Sequence, residues 1–131
     1  PTKKVAILRL PMVFGAQSPR VNELKLHLEL DAPIELFPNL IMNVISDKKV
    51  TQQLHYIINR NKHGIFHLGS KDLVHHDDFI KDLVAKIGAK NPRFKLVYTT
   101  NDERYLAVLP KENQLPKHLQ MYSLELFDNM F

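Results

Sequence analysis

The sequence predicts an α/β fold in which a small parallel sheet is flanked by helices. Two observations lead to this prediction. Short apolar segments typical of strands alternate along the chain with segments that have helical periodicity. Glycine and proline residues separate many of these segments. The strand-like segments VAILRL (5–10) and GIFHLGS (64–70) are expected to pair in parallel through a right-handed crossover, because a helix in 47–62 joins them.

The bulk composition favours one soluble domain. A length of 131 residues suits a single domain, and 44% hydrophobic with 24% charged residues is ordinary for a globular protein. No apolar run approaches the roughly 18 residues that a membrane span needs. The net charge of +4 is spread over lysines and arginines that stand singly or in pairs near acids. We therefore predict no membrane and no nucleic-acid partner. The absence of cysteine fits a reducing, cytoplasmic environment.

The first predicted strand, residues 5–10, is apolar except for Arg9. A buried arginine is expected to find a carboxylate or carbonyl partner, because an unpaired buried charge is costly. Pro11 cannot donate to a strand ladder, so a loop is expected after the strand, ending at Gly15.

Ser18 and Pro19 then predict a helix start. This start favours a helix for VNELKLHLEL, whose leucines also alternate as in a strand.

The middle of the chain continues the alternation. IELF (34–37) is a strand candidate, and Ser46 is a predicted N-cap. The helix that follows has an apolar face with helical spacing, formed by Val50, Leu54, Ile57 and Ile58.

The rest of the chain contains a third helix and short elements. This helix has apolar residues at helical spacing and is expected to end at Gly88 in a left-handed cap. FKLVY (94–98) is a further strand candidate. From residue 101 onward we expect a loop, a short strand and a terminal helical turn.

The predicted sheet is thin for a parallel sheet. Parallel strands normally have both faces covered, and two or three strands leave little for the helices to cover. The first strand is therefore expected to need a neighbour that this chain does not contain.

Three segments resemble one family in order and spacing. They are ILRLPMVFG (7–15), the stretch from IMNVIS to GIFHLGS (41–70) and HHDDFIKDLVAKIG (75–88). Together they resemble the extended short-chain dehydrogenases/reductases, and within them the dTDP-4-dehydrorhamnose reductase branch of sugar-nucleotide reductases. The resemblance implies a partial Rossmann-like arrangement, with residues 1–131 as a single substrate-binding portion.

The resemblance also implies that the catalytic half lies outside this chain. Family members bind NAD or NADP on a Rossmann half that contains G-x-x-G-x-x-G and a catalytic Y-x-x-x-K. None of the four tyrosines here has a lysine four residues later, and the four glycines are too far apart for a phosphate-binding loop. No catalytic residue is predicted, and the isolated chain is not expected to be active.

Six residues are implied as ligand contacts. By position in the family, Leu10, Pro11 and Val13 correspond to the loop beside the nicotinamide of NAD or NADP. A nucleotide-sugar substrate would meet three others, for which the resemblance is weaker: Met12, Asn43 and Arg104. Plain structural roles compete with these assignments: the cofactor contacts could be a packed strand end, Met12 a core residue and Asn43 a turn residue.

Other readings of the sequence remain open. The cluster VHHDD (74–78) has no spacing typical of a metal site, and its aspartates suit the start of a helix, so we predict no metal. A non-catalytic regulatory or scaffolding module derived from the same family is the alternative function. An exposed sheet edge would also make a homodimer possible.

Overall fold

The computed structural model describes residues 5–99, 101–110 and 115–130, the side chains of 129 and 130 excepted, and it confirms the α/β prediction. The strands are β1 (Ala6–Arg9), β2 (Met12–Phe14), β3 (Ile34–Leu36), β4 (Leu40–Met42), β5 (Val44–Ser46), β6 (Gly64–His67), β7 (Val74–His75), β8 (Phe94–Leu96) and β9 (Arg104–Leu106). The helices are α1 (Pro19–Glu29), α2 (Asp47–Asn59), α3 (His76–Ile87) and α4 (Glu125–Met130), with a 3₁₀ turn at Lys117–Leu119.

The described strands form small, mostly parallel sheets. β1 pairs with β6, β2 with β5, and β3 with β8, all in parallel. β4 lies between β9, which is parallel to it, and β7, which is antiparallel. The register of the first pair runs from Ala6 opposite Gly64 to Arg9 opposite His67, which confirms the predicted pairing of residues 5–10 with 64–70.

The segment after β1 is a strand, and the predicted loop is wrong there. Pro11 interrupts the backbone between β1 and β2, but Met12 to Phe14 then pair with Val44 to Ser46 of β5. A proline removes only its own N–H, so pairing resumes one residue later with a different neighbour. The sequence analysis also missed β4, β5 and β7, which have only two or three residues each.

Helix α1 begins as predicted, although its cap is incomplete. Ser18 has the extended backbone of an N-cap and Pro19 is the first helical residue, but the Ser18 side chain makes no capping hydrogen bond. Val21 and Leu24 are the buried residues of the helix, so helical spacing rather than strand alternation describes its packing.

Helix α2 is capped as predicted but packs with a rotated face. The Ser46 hydroxyl accepts a 3.1 Å bond from the N–H of Lys49. Ile57 is buried, whereas Leu54 and Ile58 of the predicted apolar face are exposed. Gln53 is buried in their place, and its Nε2 donates to the carbonyl oxygen of Leu119 at 2.7 Å.

Helix α3 matches its predicted pattern. Its buried residues are His76, Phe79, Ile80, Leu83 and Val84, and Gly88 ends it with φ of 100°. A left-handed backbone at this position favours glycine.

The core connects β2, β5, α3 and the C-terminal segment. The ring centroids of Phe14 and Phe79 are 5.1 Å apart, and Phe79 stacks on Phe127 at 5.6 Å. Val44 and Ile45 are fully buried beside them in the same apolar cluster. The C-terminal segment thus completes the core around β5 rather than extending from it.

Candidate functional site

A cavity of about 430 Å³ opens where β1 gives way to β2. Its lining comes from two separate segments, Leu10–Met12 and Tyr105–Val108. This volume lies in the range of small-molecule sites, about 300–1,000 Å³. We call this cavity the groove; it is the candidate ligand site.

The first wall contains three of the residues that were assigned to ligand contact. Leu10 and Pro11, two of the three expected cofactor contacts, line the groove, as does Met12, an expected substrate contact. Val13 lies outside the groove lining and pairs with Ile45 of β5. Leu10, Pro11 and Met12 are consecutive in the sequence, and the structure shows that all of them line one groove.

Asn43 lies beneath the second wall and is fully buried. Its Nδ2 donates to the carbonyl oxygens of Val108 at 2.8 Å and Ser70 at 3.1 Å, and its Oδ1 accepts from the N–H of Val108 at 3.0 Å. The side-chain amide thereby ties the groove wall at Val108 to the strands beneath it. This arrangement gives Asn43 a structural role, while contact with a substrate stays a prediction.

Gly69 makes the Asn43 contacts possible. A Cβ at residue 69 would overlap Nδ2 of Asn43 and would lie 3.0 Å from the carbonyl oxygen of Val108. Only a residue without a side chain leaves room for the amide to reach both carbonyls.

A second link holds the same wall through His67. Its Nδ1 lies 3.1 Å from the carbonyl oxygen of Leu109, which can only accept, so Nδ1 is the protonated nitrogen. Its Nε2 is then free to accept from Nη1 of Arg9 at 3.4 Å. The expectation of a buried Arg9 with a carboxylate or carbonyl partner is therefore wrong within the described part of the chain, because Arg9 is exposed and its guanidinium contacts His67.

Arg104 lies beside the groove but not in its lining. It is exposed on β9, opposite Leu40, and its backbone N–H donates to the carbonyl oxygen of Asn39 at 2.7 Å. The next residue, Tyr105, lines the groove and is 62% exposed. Its hydroxyl donates to Oε2 of Glu103 at 3.3 Å. Substrate contact by Arg104 stays a prediction.

The residues that sequence reasoning missed are Tyr105, Leu106, Ala107 and Val108. A short strand in the tail was expected, but nothing in the sequence places that strand against Pro11. The register that does so comes from β4, which pairs Ile41 with Tyr105 and was itself not predicted.

The lining of the groove is uncharged. None of the described residues that line it has an ionisable acid or base, the Tyr105 phenol apart. An apolar, uncharged wall suits a flat or apolar part of a ligand and offers no partner for a phosphate.

His76, the first residue of α3, has a lowered pKa and lies outside the lining of the groove. Burial, and then the positive charge of Arg20, lower the pKa of His76 to about 4, although Asp77 acts in the opposite direction. Its Nδ1 accepts a 3.1 Å hydrogen bond from the N–H of Phe37. The neutral imidazole thus links α3 to the end of β3.

Neither a metal centre nor a membrane span is found in the described residues. No three histidine, aspartate or glutamate side chains come together there as ligands would. None of the described helices has the length and apolar character required to cross a bilayer.

Comparisons with known proteins give a match only at the level of structure. No protein-family model and no curated protein matches the sequence. Among solved structures, a dTDP-4-dehydrorhamnose reductase from Bacillus anthracis in complex with NADP superposes with a TM-score of 0.79 at 16% identity. The match covers 96% of this chain and 47% of the reductase. The chain has the fold of part of an extended short-chain dehydrogenase/reductase.

Further solved structures extend this likeness to related enzymes. A dTDP-4-dehydrorhamnose reductase from Clostridium acetobutylicum has a TM-score of 0.70 at 12% identity, with 95% of this chain and 47% of that one covered. A UDP-glucuronic acid 4-epimerase from Bacillus cereus in complex with NAD has a TM-score of 0.67 at 17% identity, covering 97% and 43%. The chain thus spans about half the length of the dehydrogenase/reductase structures that it matches.

Proposed function

We propose that this chain is the substrate-binding portion of a cytoplasmic NAD(P)-dependent sugar-nucleotide reductase of the dTDP-4-dehydrorhamnose reductase type. Residues 1–131 act as one unit, and an NAD(P)-binding half supplies the cofactor site and the catalytic tyrosine and lysine. The observation that supports this proposal best is the groove. Its first wall consists of Leu10, Pro11 and Met12, in a fold that superposes on such reductases over nearly the whole chain.

The family resemblance supports the assignment of cofactor and substrate contacts to neighbouring residues of the groove. The reaction requires hydride transfer from a nicotinamide to a keto-sugar, so the two ligands must meet. Leu10 and Pro11 form the cofactor side, and Met12 lies next to them on the substrate side. In this proposal, the apolar wall lines the place where hydride would pass. Apart from the Tyr105 phenol, whose hydroxyl is bonded to Glu103, this lining contains no acid–base group, so the proposal assigns the catalytic residues to the other half.

The proposal is tested by titrating the ¹⁵N-labelled chain with a dTDP-linked sugar. We expect chemical-shift changes at Leu10, Met12 and residues 105–108. Ala107→Phe fills the groove and is expected to weaken binding at least tenfold, whereas Ala85→Phe, on the exposed surface of α3, leaves it unchanged. Shift changes confined to other surfaces, or equal weakening by both variants, would contradict the proposal.

A further inference from the structure

The groove offers a ligand one aromatic surface, the Tyr105 ring. More than half of this side chain is exposed, and the described residues include no aromatic ring stacked on it. Its hydroxyl donates to Oε2 of Glu103 at 3.3 Å, at the outer end of the ring. Pro11 and Met12 line the same groove from its other segment, and a proline ring and a thioether both pack well against aromatic groups.

The wall that holds Tyr105 is fixed before any ligand arrives. β9 pairs with β4 on one side, and beyond the strand Val108 is held by Asn43 and Leu109 by His67. A ligand therefore need not order this segment, and little binding free energy is lost to conformational entropy.

The charge of the groove excludes one class of ligand group. Because its described lining contains no lysine, arginine or histidine, a phosphate there would lose its hydration without gaining a cationic partner. A neutral planar ring, by contrast, gains apolar contact area in the groove without losing a charged group's hydration. The groove therefore selects the ring of a nucleotide and leaves its phosphates outside.

We propose that the groove binds a neutral heteroaromatic ring between Tyr105 and the Pro11–Met12 wall, and that Tyr105 sets the affinity for this ring. This inference rests on the proposed function, which provides two sources of such a ring: the reduced nicotinamide of the cofactor and the pyrimidine base of the nucleotide sugar.

Three ligands that share a ribose 5-phosphate test the proposal. They are reduced nicotinamide mononucleotide, uridine monophosphate and ribose 5-phosphate itself. We expect one of the two ring-bearing ligands to shift the amides of residues 105–108 and to bind at least fivefold more tightly than ribose 5-phosphate, as base–aromatic stacking predicts. The ligand that does so identifies the source of the ring. Equal affinity for all three, or binding of neither ring-bearing ligand, overturns the proposal.

Matched variants assign the effect to the ring of Tyr105. Tyr105→Ala is expected to remove the preference for the ring, Tyr105→Phe to keep it, and Tyr98→Ala to leave it unchanged. Tyr98 is a suitable control because it is 59% exposed and lies outside the groove. Loss of the preference in Tyr98→Ala, or its retention in Tyr105→Ala, overturns the assignment. If the dTDP-sugar binds in the groove but Tyr105→Ala has no effect, the proposed function stands and this inference fails.

Discussion

Two parallel strand pairs of this protein have opposite surroundings. In the β2–β5 pair, Val44 and Ile45 are fully buried, and helices α2 and α4 contact β5. In the β1–β6 pair, Ile7 and Ile65 lie side by side in the register and are 49% and 42% exposed. Both pairs are apolar and both are parallel, so the difference lies in what covers them.

Only alternate residues of β1 form backbone hydrogen bonds with β6. The N–H groups of Gly64 and Leu68 donate to the carbonyl oxygens of Val5 and Arg9, each at 2.9 Å. Parallel pairing alternates by residue, so the odd-numbered residues of β1 bond to β6 and Ala6 and Leu8 point to the other edge. No strand in the described part of the chain pairs there.

Within the described residues, the β2–β5 pair is covered by helices, whereas the β1–β6 pair has an exposed apolar face and an open edge. A parallel pair with an uncovered apolar face and an unpaired edge is unusual in a finished fold. Within the proposed function, this edge and face are where the NAD(P)-binding half packs. This chain covers 47% of the length of each of two matched reductase structures.

The largest expected effect contrasts one isoleucine from each pair. Ile45→Ala leaves a cavity in the closed pair and should cost about 2–5 kcal/mol of unfolding free energy. Ile7→Ala, in the open pair, should cost less than about 1 kcal/mol, because much of its side chain already contacts water. Urea unfolding followed by circular dichroism measures both, and equal costs would remove the distinction between the pairs.

The next largest effect concerns the hydrogen bonds between the buried Asn43 side chain and Val108 in the groove wall. Asn43→Ala leaves the N–H and C=O of half-buried Val108 without their side-chain partner and should cost about 3 kcal/mol. Asn22→Ala, which removes a single exposed bond to Gln17, should cost less than about 1 kcal/mol. Thermal unfolding of the two variants tests this, and a mild Asn43→Ala would mean that the groove wall does not depend on the amide.

An effect of similar size is expected for the pH dependence of the unfolding free energy, through His76 of α3. The pKa of His76 in the folded protein, about 4, is below the 6.5 of the unfolded chain. The unfolded state therefore binds more protons between these values. The stabilisation by neutral His76 is complete above pH 6.5 and falls by up to about 3 kcal/mol as the pH approaches 4. Unfolding free energies measured across this window, with His76→Gln as the non-titrating control, should show the loss in the parent protein alone. A pH profile of His76→Gln identical to that of the parent would assign the loss to other groups.

The smallest effect compares two serine caps. Ser46→Ala removes the hydrogen bond that begins α2 and should cost about 1 kcal/mol. Ser18→Ala should be nearly neutral, because the Ser18 hydroxyl at the start of α1 is buried without a partner in the described structure. Equal losses of unfolding free energy in the two variants would show that the capping hydrogen bond of Ser46 makes no difference to stability.

The helices and longer strands were predictable because each has a local cause. Ser46, Pro19 and Gly88 mark helix ends by chemistry that acts over a few residues. The pairing of β1 with β6 followed from the apolar segments and the helix between them. The short strands were not predictable, since two or three residues carry no periodicity and their pairing depends on distant partners.

The candidate site was predictable on one wall only. Leu10, Pro11 and Met12 were found through a family resemblance that depends on nearby residues. The wall at Tyr105–Val108 depends on the register of β4 with β9 and on the buried amide of Asn43, which are tertiary features. The exposure of Ile58 has the same kind of origin, because the orientation of α2 is set by the bond of Gln53 to Leu119.

Amide hydrogen exchange of the isolated chain is the most direct test of the open edge. We predict that the amides of Ile7 and Arg9, which face β6, are protected, whereas those of Ala6 and Leu8 exchange nearly as fast as in an unfolded chain. The rates should not depend on protein concentration. Protection of Ala6 and Leu8 equal to that of Ile45 would contradict the account. If that protection grew with concentration, a second copy of the chain would be covering the edge.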